Sequence, residues 1–302
     1  METLYAAVDL GGTKIAAALG NATGSLLHTE TIPTPPGANP EQVLAAIGTL
    51  VDSLSARAGR RPTALGVGIP GLIDTRTGHV HFVPNLPTQW RGVPAGAFLE
   101  HSLRMPVRIL NDARCATFGE LLFGHGPEYP SFVLFTLGTG IGGGVVIDGR
   151  LRLGPLSAAG EIGHQTVQLD GPICGCGNPG CLEAIASGPA IARAAGFPDA
   201  ESAASAARQG DHRAQRAFHT AATYLGIAAA NLVTSLHPDA VLFTGGMAEL
   251  VDLLLMPVRA AVSERVRMFP AQGVAVRRAA AGPNAGLLGA LALNIAPTKL
   301  AL

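Results

Sequence analysis

The sequence predicts an α/β protein, because segments typical of strands alternate with segments typical of helices along the 302-residue chain. Apolar segments interrupted by glycine turns, at residues 3–20 and 132–151, predict two strand pairs of similar design. Apolar residues recur with helical spacing at residues 40–59 and near 211–236. The alternation and the repeated strand–turn–strand unit favour a duplicated α/β architecture.

The first part of the chain predicts a small α/β unit. Alternating apolar residues lead into and out of Gly11-Gly12, which indicates two strands joined by a tight turn. Residues 40–59 follow as an amphipathic helix. The segment ALGVGIPG at 64–71 predicts a short strand that ends in a loop, and VRILNDA at 107–113 predicts another strand.

The second part repeats this design. Within residues 132–151, Asp148-Gly149 follows the glycine-rich turn LGTGIGG and predicts a hairpin turn. A strand with the sequence AVLFTGG and a helix at about 248–268 follow the long helix. We therefore predict a smaller N-terminal domain of residues 1–113, joined by a C-terminal helix at about 286–302, and a larger domain of residues 114–285.

Composition limits the class of protein. Hydrophobic residues make up 48% of the chain, and 21 basic residues balance 21 acidic ones without any charge run. This balance predicts no nucleic-acid partner and no membrane partner. The N-terminus lacks the pattern of a signal peptide, and the apolar segment GLLGALALNIA is roughly half the ~20 residues that a membrane span needs. We therefore expect a cytoplasmic protein.

Three of the four cysteines lie within the eight residues CGCGNPGC. Clustered cysteines in a reducing compartment bind metal more often than they form disulfides, and the chain has no C-x-x-C redox motif. His164 precedes the first of these cysteines by ten residues. His164, Cys174, Cys176 and Cys181 therefore form a Cys₃His set, which is typical of closed, structural zinc sites.

The glycine-rich turns are candidates for phosphate binding. LGTGIGG contains a G-x-G-x-x-G pattern beginning at Gly138, but it continues into a strand rather than a helix, which argues against a dinucleotide site. Backbone N–H groups of such a turn can still bind phosphate. The alternative is that both turns are only structural. The polar residues Thr13, Lys14 and Thr139 at the turn tips favour phosphate binding over a purely structural role. Lys14 supports this interpretation, because the chain has only two lysines against 19 arginines.

Three carboxylates stand near these motifs. Asp112 follows Asn111 at a predicted strand end, where it is either a general base or the cap of the next helix. Glu161 and Glu183 lie on either side of the cysteine cluster. A zinc ion would connect the two loops that contain them and would preorganise a site for a ligand with many hydroxyl groups.

The sequence resembles the ROK family of sugar kinases (repressor, open reading frame, kinase) over nearly the whole chain. The matching motifs are, in family order, DLGGTKIAAAL, GVGIPGLID, VPNLPTQW, NDARCATFGE, LGTGIGGGVVIDGRL, AAGEIGH, CGCGNPGCLE and LFTGGM. The resemblance implies the two-domain actin-like ATPase fold (sugar kinase/Hsp70/actin), with ATP in an interdomain active-site cleft. It further implies transfer of phosphate from ATP to the 6-hydroxyl of a hexose, above all glucose, as in glycolysis.

The resemblance also implies residue roles. Asp112 corresponds to the general base that takes the proton of the sugar's 6-hydroxyl, and Asp9 to the acid near Mg²⁺. The further sugar-binding residues are Asn85, Asn111, Glu161, His164 and Glu183. The nucleotide-binding residues are Gly11, Gly12, Thr13, Lys14, Thr139, Gly140, Gly245 and Gly246. His164 then serves both the zinc ion and the sugar. The role of Trp90 stays open, because the spacing around it departs slightly from the family pattern.

Several alternatives remain. Mannose, fructose, N-acetylglucosamine and N-acetylmannosamine are alternative acceptors, and polyphosphate is an alternative donor. A non-catalytic sugar-sensing ROK protein is the alternative from another class. The regulators of this family have an N-terminal helix-turn-helix, for which there is no room before Gly11. From the family we expect a homodimer or homotetramer.

Overall fold

The computed structural model describes residues 3–83, 86 and 88–301. The chain divides into two compact units. Unit 1 comprises Met1–Pro127, Gly149–Ala159 and Asn284–Leu302, and unit 2 comprises Glu128–Asp148 and Gly160–Pro283. The domain boundaries expected from the sequence stay a prediction, and these units divide the chain at different residues.

The strands and helices follow one another in the α/β pattern expected from the sequence. The strands are β1 (Tyr5–Leu10), β2 (Lys14–Gly20), β3 (Leu26–Pro33), β4 (Leu65–Ile69), β5 (Leu72–Asp74), β6 (His79–Phe82), β7 (Val107–Asn111), β8 (Phe132–Leu137), β9 (Ile141–Ile147), β10 (Arg150–Arg152), β11 (Ala240–Thr244), β12 (Ala275–Arg278) and β13 (Leu300–Ala301). The helices are α1 (Pro40–Ala58), α2 (Ala95–Leu103), α3 (Asp112–Phe123), α4 (Leu182–Ala186), α5 (Gly188–Ala195), α6 (Ala200–Arg208), α7 (His212–Leu236), α8 (Val251–Arg265) and α9 (Ala285–Ile295).

Unit 1 contains a five-stranded sheet in the order β3-β2-β1-β4-β7. Strands β1, β4 and β7 are parallel, whereas β2 is antiparallel to both β1 and β3. Strands β1 and β4 are almost entirely apolar and largely buried, as expected for strands covered on both faces. Their registers pair Asp9 with Gly68 and Ile69 with Asn111, so the carboxyl ends of all three strands meet at one sheet edge.

Unit 2 contains four strands in the order β12-β11-β8-β9. Strands β12, β11 and β8 are parallel, and β8 forms an antiparallel pair with β9. The rings of Phe135 and Phe243 stack on neighbouring strands with their centroids 5.1 Å apart. Helix α7 buries a largely alanine face, which lets the other helices of the unit approach closely. The core of unit 2 therefore lies between this helix layer and the sheet.

Most local predictions are confirmed. Both strand–turn–strand units form, and helix α1 begins after an Asn39 capping box and ends at Gly59 in the left-handed region. Asp148 and Gly149 both have positive φ, as a tight hairpin turn requires. Helix α8 begins three residues later than predicted, because residues 246–250 form 3-10 turns. Among the described residues, none of the helices has the length and apolar character needed to cross a membrane.

Candidate active site

Asp112 lies at the carboxyl end of β7, where the chain turns directly into α3. The helix cap is Asn111, because its Oδ1 accepts the backbone N–H of Arg114 at 3.1 Å. The Asp112 carboxylate accepts two hydrogen bonds at Oδ1, from Asn111 Nδ2 at 3.0 Å and from the backbone N–H of Ala113 at 2.9 Å. The side chain of Asp112 is therefore oriented by its neighbours, and the capping role belongs to the residue before it.

Arg114 is a site residue that the sequence analysis missed. It is only 1% exposed, and its Nη1 donates to Asn111 Oδ1 at 2.9 Å. Its Nε and Nη2 donate to the backbone oxygens of residues 159 and 158, at 2.9 and 3.3 Å. Because Arg114 binds the oxygen of the Asn111 amide, the amide nitrogen must face the carbonyl of Gly71 and the carboxylate of Asp112. The sequence contains no signal that this arginine is buried.

Asp9 lies beside Asp112. Burial of the Asp9 carboxyl, with a further contribution from the negative charge of Asp112, raises its pKa to about 6, against the lowering effect of Lys14. A Cβ atom on Gly68 of β4 would lie 3.5 Å from Asp9 Oδ1 and 3.3 Å from Cys115 Sγ. Glycine at this position therefore lets the strand pass close to the two acids.

We expect Asp9→Asn to stabilise the protein at neutral pH. The folded-state pKa lies above the usual 3.8, so the folded protein binds more protons than the unfolded chain between about pH 4 and 6, and its stability falls as the pH rises through that range. Two pKa units correspond to at most about 3 kcal/mol, and we expect about 2 kcal/mol because Asp9 is half-buried.

Urea denaturation without divalent cations measures this difference. The gain in the free energy of unfolding of Asp9→Asn over the parent protein should be complete above pH 6 and vanish below about pH 4. Asp170→Asn, which changes an exposed carboxylate, is the matched control. Equal stability of Asp9→Asn and the parent protein at pH 7 would contradict the assignment of an unfavourable buried charge.

The turn between β1 and β2 presents exposed backbone. The N–H of Gly11 donates to the carbonyl of Lys14 at 2.9 Å, which closes the turn around Gly12 and Thr13. Thr34, which is buried, donates from Oγ1 to the carbonyl of Gly11 at 2.7 Å and from its N–H to the carbonyl of Thr13 at 3.0 Å. Thr34 therefore fixes the turn from the end of β3, a role that the sequence analysis did not assign.

The turn between β8 and β9 is held in a similar way. The N–H of Gly138 donates to the carbonyl of Gly140 at 3.0 Å, with Thr139 exposed between them. The N–H of Gly188, the first residue of α5, donates to the carbonyl of Gly138 at 2.9 Å. A Cβ atom on Gly188 would lie 3.2 Å from the sulfur of Met247, so this turn, the start of α5 and the segment after β11 are neighbours.

Gly245 and Gly246 begin that segment after β11. Gly245 has φ +93°, and a Cβ atom on it would collide with the carbonyl oxygen of Leu137. A Cβ atom on Gly246 would meet no atom within 4 Å. Only a glycine at 245 allows the close approach to β8, whereas the backbone of Gly246 faces open space that a ligand can occupy.

Glu183 connects this turn with the cysteine cluster. Its Oε2 accepts the backbone N–H of Ile141 at 2.9 Å and lies 2.5 Å from where a Cβ atom on Gly140 would be. The Sγ of Cys174 lies 3.8 Å from Glu183 Oε1. The structure therefore gathers the glycine-rich turn, the carboxylate and one thiol into a single region of unit 2.

The Cys₃His set has the geometry of a metal site. The four ligand atoms of His164, Cys174, Cys176 and Cys181 all lie within 4.8 Å of one another. Cys174 Sγ is 3.6 Å from His164 Nδ1, and the sulfurs of Cys176 and Cys181 are 3.6 Å apart. A tetrahedron with Zn–S bonds of about 2.3 Å has edges of about 3.8 Å, so these distances suit zinc.

Glu161 lies beside the His164 ring, on the side that faces away from the cysteines. Its Oε2 lies 3.9 Å from His164 Nε2, whereas Nδ1 of the same ring faces the sulfurs. A carboxylate beside the second ring nitrogen is the usual way in which a metal-bound histidine is oriented. The arrangement suits Nδ1 as the metal ligand.

The predicted site residues fall into two groups. Unit 1 brings together Asp9, Asn111 and Asp112, and it contains the turn of residues 11–14. Unit 2 brings together the residues of the second turn, the segment after β11, Glu183 and the Cys₃His set. Asn85 lies outside the described residues. Trp90 is 1% exposed and packs in the core of unit 1.

Comparison with known proteins gives consistent matches. The sequence profile of the ROK family matches residues 5–296. The glucokinase of Streptomyces coelicolor is 35% identical, with 97% of this chain and 98% of that protein covered, and the N-acetylmannosamine kinase of Escherichia coli is 35% identical with the same coverage. Among solved structures, one match is the crystal structure of a ROK family glucokinase from Streptomyces griseus in complex with glucose and AMPPNP. The superposition has a TM-score of 0.82 at 34% identity and includes 95% of this chain and 97% of the other chain.

Proposed function

Because the chain belongs to the ROK family and is a sugar kinase, an ATP-dependent hexose phosphotransferase, we propose that its substrate is glucose and that the phosphoryl group goes to the 6-hydroxyl. The resemblance found in the sequence is thereby confirmed at the level of the family. The fold is the sugar kinase fold of the actin-like ATPase type, as expected. The observation that supports the chemistry best is the oriented carboxylate of Asp112 at the end of β7.

Asp112 is the proposed general base. The 6-oxygen of the sugar attacks the γ-phosphorus, the bond from that phosphorus to the β,γ-bridging oxygen breaks, and ADP leaves. The hydroxyl proton passes to the Asp112 carboxylate. Two N–H donors hold this carboxylate in one orientation, so little motion is needed at the moment of transfer. Positioning of this kind supplies most of the rate in phosphoryl transfer.

The remaining polar residues are proposed to bind the sugar and the donor. Asn111, Glu161, His164 and Glu183 offer amide, carboxylate and imidazole groups to the other hydroxyls, together with Asn85. The backbone of both glycine turns and of Gly245-Gly246 would receive the phosphates and the adenosine. The exposed residues 12–14 of the first turn and the open space at Gly246 support this assignment.

Asp9 is proposed to bind Mg²⁺ directly or through water. A carboxylate oxygen is the kind of ligand that Mg²⁺ prefers, and Asp9 lies near the end of β1, shortly before the turn that contains Lys14, whose charge acts on it. The cation would neutralise negative charge on the phosphates. A positive ion beside Asp9 would also relieve the unfavourable burial of its charge.

A structural zinc ion is proposed for His164, Cys174, Cys176 and Cys181. Four protein ligands leave no open position, so the ion would have no part in phosphoryl transfer. It would hold residues 161–164 against the start of α4, and thereby fix Glu161 and Glu183. The proposed role is preorganisation of the sugar-binding carboxylates.

We expect Cys176→Ser to lose zinc and activity together. A missing thiolate removes one of four ligands, and the loop that contacts Glu183 then loses its anchor, so the KM for sugar should rise by at least about tenfold. Metal analysis and sugar kinetics measure the effect. Met268→Ser is the control, because it removes a sulfur atom from an exposed position outside the cluster. Unchanged metal content and KM in Cys176→Ser would contradict the zinc assignment.

N-acetylmannosamine is the second candidate substrate, since a kinase for that sugar is as similar to this chain as the glucokinases are. Mannose, fructose and N-acetylglucosamine stay alternatives. A sugar sensor without catalysis is less well supported, because Asp112 and both glycine turns are present. The expectation of a homodimer or homotetramer stays a proposal.

ADP release in the presence of Mg-ATP and each of these five sugars tests the proposal. A response to glucose at the lowest sugar concentration supports a glucokinase, and a preference for an N-acetylated sugar would overturn the choice of substrate. A parallel series with polyphosphate in place of ATP tests the donor. If a folded protein that contains zinc phosphorylates none of the sugars with either donor, the result would favour the sensing role.

A further inference from the structure

A groove of about 630 Å³ lies on the surface of unit 2. Its walls come from the loop that contains Gln168 and Pro172 and from helices α4, α5 and α7. None of the residues that we assign to sugar, nucleotide or zinc binding lines it. The volume lies within the range of about 300–1,000 Å³ that is usual for sites of small molecules.

Three arginines surround this groove: Arg193 on α5, and Arg213 and Arg216 on the first turns of α7. No aspartate or glutamate is among the lining residues. Within the described part of the chain, none of the three forms an ion pair. In a protein with a formal net charge of zero, this groove therefore brings together three positive charges with no carboxylate among its lining residues.

The guanidinium of Arg213 is held in place. Its Nε donates to the carbonyl of Ala194 at 2.9 Å, which leaves both terminal NH₂ groups for another acceptor. Its Nη1 also lies 2.7 Å from where a Cβ atom on Gly196 would be, so the planar group rests on the bare backbone that ends α5. A fixed guanidinium loses less conformational entropy when it binds an anion.

The floor of the groove is apolar. Ala184 and Ile185 of α4 and Ala190 of α5 line it, and all three are partly or fully buried. An uncharged ring or chain can cover such side chains while a charged group of the same molecule meets the arginines. Arginine binds phosphate oxygens with two parallel hydrogen bonds, and three arginines match the high charge of a phosphate better than that of a single carboxylate.

We propose that this groove is a second ligand site, which binds a phosphate-bearing small molecule of about the size of a sugar phosphate. The arginines recognise the phosphate, and the apolar floor receives the uncharged part. This proposal holds whichever sugar the kinase phosphorylates.

Calorimetric titration at low ionic strength tests the proposal, with glucose 6-phosphate and inorganic phosphate as separate probes. Saturating glucose and AMPPNP should be present, so that the proposed active site is filled and cannot account for the heat. We expect one binding event per chain, which Arg213→Gln/Arg216→Gln weakens at least tenfold. The control Arg265→Gln/Arg267→Gln removes the same charge from exposed positions outside the groove and should change the affinity by less than twofold.

The two probes distinguish the sources of the phosphate. Tighter binding of glucose 6-phosphate than of inorganic phosphate, weakened at least tenfold in the groove variant, supports the proposal in full. Equal affinities with the same weakening would support the phosphate site and contradict the role of the apolar floor. Binding that both double variants weaken equally would show general charge attraction and overturn the proposal. Absence of binding would also overturn it, and sedimentation of the groove variant would then show whether this face joins copies of the chain. Thermal melting checks that each variant is folded.

Discussion

Replacing Asp112 with asparagine is expected to lower kcat by at least about 100-fold, which is the smaller end of the contribution that a positioned general base makes. Asparagine keeps the size and the hydrogen-bonding oxygen that receives the N–H groups of Asn111 and Ala113, so the start of α3 should stay folded. It removes only the capacity to take a proton. Initial rates of ADP release at saturating sugar measure the loss.

Sugar binding should survive this change. The KM or the dissociation constant for glucose should change by less than about threefold, because the amide still accepts or donates a hydrogen bond at the same position. Asp170→Asn, an exposed carboxylate, is the control. Turnover within tenfold of the parent protein would exclude Asp112 as the base.

Replacing Arg114 with methionine is expected to destabilise the protein by about 3 kcal/mol. The change leaves the backbone oxygens of residues 158 and 159 without their donor and removes one of the two donors to Asn111 Oδ1, whose bond from the backbone N–H of residue 114 remains. Each of the three lost hydrogen bonds costs about 1 kcal/mol or more when buried. Methionine fills much of the volume of the arginine stem, so a cavity adds little. Equilibrium urea denaturation measures the loss.

The activity of the folded Arg114 variants shows whether this arginine positions Asn111 and Asp112 or only stabilises the protein. Without the Arg114 side chain, only the backbone N–H of residue 114 holds the oxygen of the Asn111 amide, so the amide nitrogen is directed at Asp112 less firmly. We therefore expect kcat to fall by at least about tenfold at a temperature where the variant is fully folded. Arg114→Lys retains the positive charge but has one donor nitrogen in place of three. Relative to Arg114→Met, it should recover part of the lost stability and a smaller part of the lost kcat. An Arg114→Met protein that is folded and has unchanged kcat would contradict the positioning role.

The zinc set shows how much a local motif can predict. Its four ligands lie between residues 164 and 181, and the structure brings their ligand atoms within 4.8 Å of one another. Short separations along the chain leave little freedom, so spacing predicts proximity. The same reasoning applies to the two glycine turns and to Asn111-Asp112, where the residues concerned are neighbours in the chain.

The choice between the two roles of Asp112 could not be made in this way. Either Asn111 or Asp112 has the side chain of a good helix cap, and the sequence analysis left both roles for the aspartate open. The structure assigns only the cap, because the register of β7 with β4 extends through Asn111 and the helix begins one residue later. The parallel strand pair thereby assigns the capping role to the asparagine. The role of Asp112 as general base stays a proposal.

What the sequence by itself determined is the α/β fold class, the family, the strand–turn–strand units and the ligand sets that are close along the chain. Tertiary structure alone decided that Arg114 is buried, that Thr34 fixes the first turn by binding Gly11, 23 residues before it, and that Arg193 and Arg213 face one groove. An arginine on a helix has the same local pattern whether it faces solvent or a buried carbonyl. Only the packing of segments distant in the chain provides the partners that distinguish these cases.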